Sequence, residues 1–559
     1  MQQLRVARTR RIALIGLAGV LAVSMSACAT SKRDDNTAAG GEKTGGTMVF
    51  GATGNPKNFD PIFNDDGETF RITRQIFDTL LQNKPGTADV VGSLADKWTP
   101  SNDGKTWTFD LKKGVKFSDG TPFDAAAVCF NFDRWYNMKG AAAQSQMTYY
   151  ADVFEGFAKN EGDATGDPVY KSCEAKDDAT AVINLNKAKG AFPAAFTLSS
   201  FSISSPTALK KYNADTVTQS GDSFSYSDYA NKYPSGTGPF KFESWDQAKG
   251  EVTIAKSEGG TQTANLDKLI FKVIPDENAR KQALKSGDID GYDYPSPADY
   301  GLLRNDGEQV LIRPSFNILY LGINQANNPA LKDVRVRQAL AYGINREQFV
   351  KSKLAEGSEV ATEFVPKAIA GYNDAVTQYP YDPAKAKQLL TDAGASNLTL
   401  KFYYPTEVTR PYMPNPADTF TAISEDLKAI GITVQPVAEP WNGGYKDDVQ
   451  KAGKQDIHLL GWTGDYNDAG NFVGTFFGRK KAEFGFDNAA LFSALSAADS
   501  APAGDQHAAA YKDVNKQIMD FLPAIPIAYP TPALVVGPKI KGVIASPLTD
   551  ERFNTVSKG

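Results

Sequence analysis

The chain has 559 residues, 41% hydrophobic and 22% charged, with 60 basic against 65 acidic side chains and a net charge of −5. That length supports more than one core, so two or three domains are expected. The acidic balance argues against nucleic acid, whose phosphates demand basic patches, and two histidines leave a His-based triad or a multi-His metal site poorly supplied.

In chain order, Arg5, Arg8, Arg10 and Arg11 precede the apolar run IALIGLAGVLAVSM and the small-residue stretch SAC ending in Cys28. A basic segment, a short apolar core and a small-residue cut site make a secretory signal over residues 1–27. Met25-Ser26-Ala27-Cys28 resembles a lipoprotein processing site, which implies lipidation of Cys28; the alternative is an ordinary residue beside a plain cleavage site. Thr9-Arg10-Arg11 half-fits a twin-arginine export signal. No later stretch has eighteen uninterrupted apolar residues. Residues 28–46, polar and glycine-rich, read as a flexible tether. Without residues 1–27 the balance is 56 basic against 65 acidic, or −9. Cys129 and Cys173 form an even pair in an exported chain. They are expected as one disulfide closing a loop of 45 residues, with a contribution of roughly 3 to 4 kcal/mol; the alternative is two buried free thiols.

From residue 48, MVFGAT, NPKNFDP and IFDTLLQ suggest a strand, a turn and a helix. WTFDLKKGVKFSDGTPF (107–123) alternates and turns at Asp119-Gly120, which predicts a hairpin. DAAAVCFNFDRWYNM (124–138) is helical in spacing, and TAVINLN and LIFKVI are strands. Residues 210–236 read as loop with a short helix, and 277–287 as a helix stopped by glycine. PSFNILYLGIN is a strand, followed by one amphipathic helix over 334–354. In YDPAKAKQLLTDAGA, Asp382 is a candidate N-cap, Pro383 occupies N1 and Gly394 signals the C-cap. Strands at NLTLKFYY, ITVQPVAE and DIHLLGW alternate with helices at 417–431 and 444–453, which is an α/β pattern. A further helix at 508–522 precedes strands in IPIAYPTPALVVGP.

Five long motifs then occur in one order: NPKNFDP, LADKWTPSNDGKTWTFDLKKGVKFSDGTPFDA, GTGPFKFESW, DVRVRQALAYGINRE and YDPAKAKQLLTDAG. Together they resemble the extracellular solute-binding proteins of family 5, the peptide- and nickel-type binding lipoproteins of ABC importers, from about Thr47 to the end. TRPYMPNP (409–416) and GWTGDYNDAGNF (461–472) are similar to segments that clasp the two ends of a dipeptide in dipeptide-binding members. The resemblance implies an α/β, bilobal periplasmic-binding-protein-like clamp of class II, cluster C. Lobe I would span 47–314 with an extra subdomain at about 78–230, lobe II would span 315–526, and 527–559 would return to lobe I. It also implies a monomer, a membrane permease as partner, attachment to the extracytoplasmic face of the membrane, and neither cofactor nor metal.

A dipeptide carries an ammonium and a carboxylate whatever its side chains, so a general receptor needs an acid and an arginine fork. By motif match Asp465 is the ammonium anchor and Arg410 the carboxylate anchor. Read without the motif, Asp465 caps backbone N–H groups of a turn, and Arg410 makes a surface ion pair with Glu407. Tyr412 and Trp462 wall the cleft or belong to the core. Gly67 aligns with a lobe I loop that meets the ligand backbone; Asp65 and Asp66 before it select cationic peptides or face water. Catalysis has no motif behind it: G-x-S-x-G, H-E-x-x-H and the P-loop are absent, although the many acids permit a two-carboxylate hydrolase in principle. Longer peptides, glutathione, haem, nickel chelates and oligosaccharides are alternative ligands in this family, and a peptide-signal receptor would use the same fold.

Overall fold

The computed structural model of the chain describes residues 45–559 apart from 163, 165 and 222. The signal segment 1–27, Cys28 and nearly all of the 28–46 tether lie outside the described residues. No helix among the described residues is long and apolar enough to cross a membrane.

The architecture rests on two large mixed sheets. The first has seven strands in the order Phe240–Asp246, Glu251–Lys256, Lys268–Val273, Thr47–Ala52, Gly291–Asp293, Ala533–Val536, Gln309–Ile312. Met48, Phe50, Leu269 and Phe271 are fully buried in its core. The second has six strands in the order Glu359–Val360, Ala524–Tyr529, Asn317–Ile323, Ile457–Thr463, Thr399–Thr406, Thr433–Pro440. Its last three strands are mutually parallel neighbours. Every residue of Asn317–Ile323 is buried, as a central strand covered on both faces requires.

A smaller antiparallel sheet runs Ala95–Pro100, Thr106–Leu111, Thr180–Leu185, Tyr170–Asp177. Helix Ala125–Tyr136, capped by Asp124 through the Ala127 N–H, packs against this sheet with Phe132 and Trp135 buried. Cys129 on that helix is bonded to Cys173 on the edge strand. Reduction of this bond is expected to lower stability by about 3 kcal/mol, read as a lower urea midpoint. An unchanged midpoint would mean that the cross-link restrains nothing.

The structure differs from the local sequence signals where tertiary pairing intervenes. Residues 76–82 are not a helix. The helix is Gly67–Ile76, started by Asp66 on the Thr69 N–H, and Leu81–Asn83 pairs as a strand with Val90–Gly92. The 107–123 hairpin reduces to one bridge, Lys116 with Pro122, because Thr106–Leu111 pairs with Ala95–Pro100 and Thr180–Leu185. Within 210–236 a small hairpin forms between Val217–Ser220 and Ser223–Tyr226. The expected helix over 334–354 is two, Val334–Gly343 and Arg346–Lys353, the second capped by Asn345 on the Gln348 N–H. Residues 444–453 lie largely in π-helical turns, Trp441–Tyr445 and Asp447–Lys451. The Asp382 cap accepts from the Lys385 N–H as expected, and Gly394 ends that helix with φ +67°.

The chain crosses between the two large sheets at 313–316 and again at 530–532. These crossings are tied together: the Arg313 N–H donates to Pro532 O (2.8 Å), and Ser315 Oγ donates to Pro530 O (3.0 Å). Arg313, with no exposed surface, reaches Asp293 Oδ1 (2.6 Å) and both oxygens of Glu551 (2.6 and 3.1 Å). Arg71 completes the cluster on the second oxygen of Asp293.

Candidate functional site

Parallel strands bring their carboxyl ends to one rim, where open α/β sheets bind ligands. Arg410 and Tyr412 follow strand Thr399–Thr406, Asp465 follows Ile457–Thr463, and Trp441 follows Thr433–Pro440. All four, with Trp462 and Gly67, line one cavity of about 620 Å³, a volume within the usual range of small-molecule sites. Gly461 keeps the two segments together: a side chain there would run into the Tyr412 ring and the Ile318 carbonyl.

Asp465 is held from two sides. Its backbone N–H donates to Asn471 Oδ1 (2.8 Å), while Asn471 Nδ2 donates back to its carboxylate (3.2 Å). The Tyr149 hydroxyl supplies a further hydrogen bond. Burial pushes the Asp465 carboxyl up to about 7, against the lowering effect of Tyr149 and Asn471. No cation pairs with it among the described residues. The turn-capping role expected of this acid falls to Asp468, which accepts from the Gly470 N–H (2.7 Å) and from His507 Nε2 (2.7 Å).

Arg410 makes no ion pair with Glu407, which is exposed. Its guanidinium lies 4.3 Å from the Trp441 ring centroid, and its Nε is buried without a partner. Lys446 approaches the same ring at 5.6 Å. Tyr412 is 7% exposed, so most of the ring is core and one edge reaches the cavity. Trp462 is more open and donates from Nε1 to Asn471 (3.3 Å).

Opposite, Gly67 opens a helix with nothing within 4 Å of where a side chain would start. The two acids before it are engaged. Asp66 caps that helix through Thr69 N (2.9 Å) and Thr69 Oγ1 (2.6 Å), and Asp65 pairs with Lys57 (3.3 Å). Residues from the two sides also meet away from the cavity lining. Asn467 Nδ2 donates to Ala88 O (2.9 Å), and Lys189 bridges Glu155 (3.2 Å) and Asp499 (2.5 Å). With Tyr149 on Asp465, these contacts join the two sides in this structure.

His458 is fully buried against Glu483 (3.0 Å), which also accepts from Tyr320 (3.0 Å). Burial works to raise the Glu483 carboxyl, but the hydrogen bond and charge of His458 hold it below its usual range. Sequence reasoning missed Tyr149, Asn471, Trp441 and Lys446. The rim rule applied to the strand at 433–440 would have pointed to Trp441; nothing local in MTYY marks Tyr149, because its partner is more than three hundred residues away.

Comparison with known proteins identifies the family. A family described as bacterial extracellular solute-binding proteins, family 5 Middle, matches residues 89–484. A dipeptide-binding protein of Escherichia coli (strain K12) is 31% identical over 527 residues, covering 91% of this chain and 94% of that protein. Heme-binding protein A of Haemophilus influenzae is 29% identical, with coverage of 91% and 92%. The ABC transporter-associated periplasmic binding protein of Helicobacter pylori, solved with peptide STSA, matches at TM-score 0.71 and 26% identity, covering 92% of this chain and 98% of that one. The chain therefore belongs to the bacterial extracellular solute-binding proteins of family 5.

Proposed function

We propose that this protein captures short peptides, dipeptides above all, by lobe closure and delivers them to a membrane permease of an ABC importer. One observation carries the proposal: a single cavity holds a carboxylate and a guanidinium, Asp465 and Arg410, neither of them in an ion pair among the described residues. Their loops follow adjacent parallel strands, spaced about 4.8 Å apart, which suits the two charges of a short zwitterion. Asp465 takes the ammonium, and Arg410 takes the carboxylate in its fork. Trp462 and Tyr412 wall the cleft, and the open backbone at Gly67 meets the ligand from lobe I.

Closure follows from linkage. A ligand that touches both lobes only in the shut form shifts the population toward it, and the permease reads that form. On this proposal the protein is a monomer, exported and held to the extracytoplasmic membrane face by lipid on Cys28. Lobe I spans 47–314 with its subdomain at about 78–230, lobe II spans 315–526, and the chain returns to lobe I over 527–559. The role is carriage rather than catalysis.

Calorimetry with di-, tri- and tetrapeptides tests the ligand class. Dipeptides are expected to give saturable heats, and the longer peptides belong in the panel because the cavity has room beyond two residues. Heat from cello-oligosaccharides or metal chelates with none from any peptide would overturn the proposal.

A further inference from the structure

The three parallel strands lie in the order Thr433–Pro440, Thr399–Thr406, Ile457–Thr463, and the segment following each lines the cavity. The charged side chains they deliver therefore fall in a row, Lys446, Arg410, Asp465, with the carboxylate at one end and two cations at the other. Arg410 and Lys446 share the Trp441 ring, at 4.3 and 5.6 Å from its centroid. Arg410 and Lys446 follow neighbouring paired strands, so a ligand end held by Arg410 lies beside the segment that carries Lys446.

Among the described residues, the acids nearest this pair are each engaged with another group. Asp447 is bonded to Lys451 (2.8 Å), and Asp448 to Lys454 (2.7 Å). Glu439 shares a hydrogen bond with Asp448, and although its other oxygen is buried without a partner, it does not line the cavity. From lobe I, Asp65 faces Lys446 and is itself paired with Lys57 (3.3 Å). Lys446 is exposed at the cavity mouth. Desolvation there, followed by repulsion from Arg410, pushes its ammonium down, which marks a site where added negative charge is favourable. The residue sits between the two π-helical turns Trp441–Tyr445 and Asp447–Lys451, a geometry that occurs often at functional positions.

We infer that Lys446 is a specificity-determining residue that selects peptides whose C-terminal residue has an acidic side chain. The inference rests on the peptide reading above and extends it. The α-carboxylate occupies Arg410, and the second carboxylate, a few bonds away, meets the Lys446 ammonium. The engaged state of Asp65 and Asp66 removes the reason to expect a preference for cationic peptides.

Titration calorimetry of the full exported protein with Ala-Glu and Ala-Gln separates the outcomes, since the two peptides differ in charge and hardly in shape. Ala-Glu is expected to bind about fivefold more tightly, the effect of one partly exposed ion pair, and the gap should narrow as salt is added. Lys446→Gln should abolish the gap and leave Ala-Gln affinity within about twofold; Lys446→Arg should retain the gap. Equal affinities in the parent, or an equal loss for both peptides in Lys446→Gln, would overturn the inference while leaving peptide binding intact. If neither peptide binds, the peptide reading fails, and the inference fails with it.

Discussion

Asp465→Asn is expected to weaken dipeptide binding by about 2 to 5 kcal/mol, the cost of removing one partner from a buried charge pair, and to leave the ligand-free protein at least as stable as its parent. The second half follows from the environment of the carboxyl, which burial pushes up to about 7 in this structure. A carboxyl with a raised folded-state pKa binds protons that the unfolded chain has released, so stability falls as pH rises between about 4 and about 7. Above that window the full cost of a buried, unpaired charge remains. Asparagine keeps the partnership with Asn471 and Tyr149 without carrying the charge. Calorimetry gives the binding loss, and thermal melts at pH 5 and pH 8 give the stability comparison. A variant that binds normally and melts lower would return Asp465 to the role of a turn residue.

The same cost shapes how the clamp works. On the proposed peptide role, closing on an empty cavity strands the Asp465 charge between Tyr149 and Asn471, whereas closing on an ammonium would supply the missing countercharge. The energy difference between those two shut states is what lets a ligand move the open–shut equilibrium. Tyr149, on the short helix Thr148–Phe154, reaches this carboxyl from a distant part of the chain.

Arg313→Met is expected to lower unfolding free energy by about 3 to 5 kcal/mol, because it leaves Glu551 buried without its cation and Asp293 with Arg71 alone. The loss should appear as a lower urea midpoint at neutral pH. It should also shrink in acid. Burial acts to raise the Asp293 carboxyl, but Arg313 and Arg71 outweigh it and hold it below its usual range. A carboxyl with a depressed folded-state pKa contributes stability that is fully present above its unfolded value, near 4, and is lost as pH falls through the folded value. A midpoint unchanged at pH 7 would show that the cluster is dispensable. The location matters for function, since Arg313 stands at the first crossing between sheets and Glu551 belongs to the segment that follows the second. The cluster ties the two crossing segments together.

The elements that sequence periodicity predicts with the right type are those whose partners are local or whose burial is complete. Asp382, Pro383 and Gly394 bracket a helix by chemistry confined to a few residues, and the structure forms that helix within those limits. The strand within PSFNILYLGIN is apolar enough that only a central sheet position could bury it. The misassigned elements are those decided elsewhere. IFDTLLQ has helical spacing, but the helix Gly67–Ile76, capped by Asp66, ends on its first residue, and Leu81 and Gln82 pair as strand with Gly92 and Val91. The alternation in 107–123 is that of a hairpin, yet strand Thr106–Leu111 finds better partners on both sides, one of them some seventy residues on. Nothing in a local window can weigh such competitors.

For the site, the sequence by itself determined the residue types and their order: an acid in GWTGD, an arginine in TRPY, a glycine after two acids, and an even pair of cysteines. Those are covalent facts, and motif resemblance reads them directly. Only the tertiary structure decided what each charge is free to do. It assigned turn capping to Asp468, helix capping to Asp66 and ion pairing to Asp65, and left Asp465 and Arg410 facing one cavity without ion-pair partners among the described residues. It also set Lys446 beside Arg410 over a shared ring. The reason is geometric: parallel pairing carries the ends of three strands, far apart in the chain, to one rim, where burial removes water and makes the remaining charges depend on whichever partners the fold, or a ligand, provides.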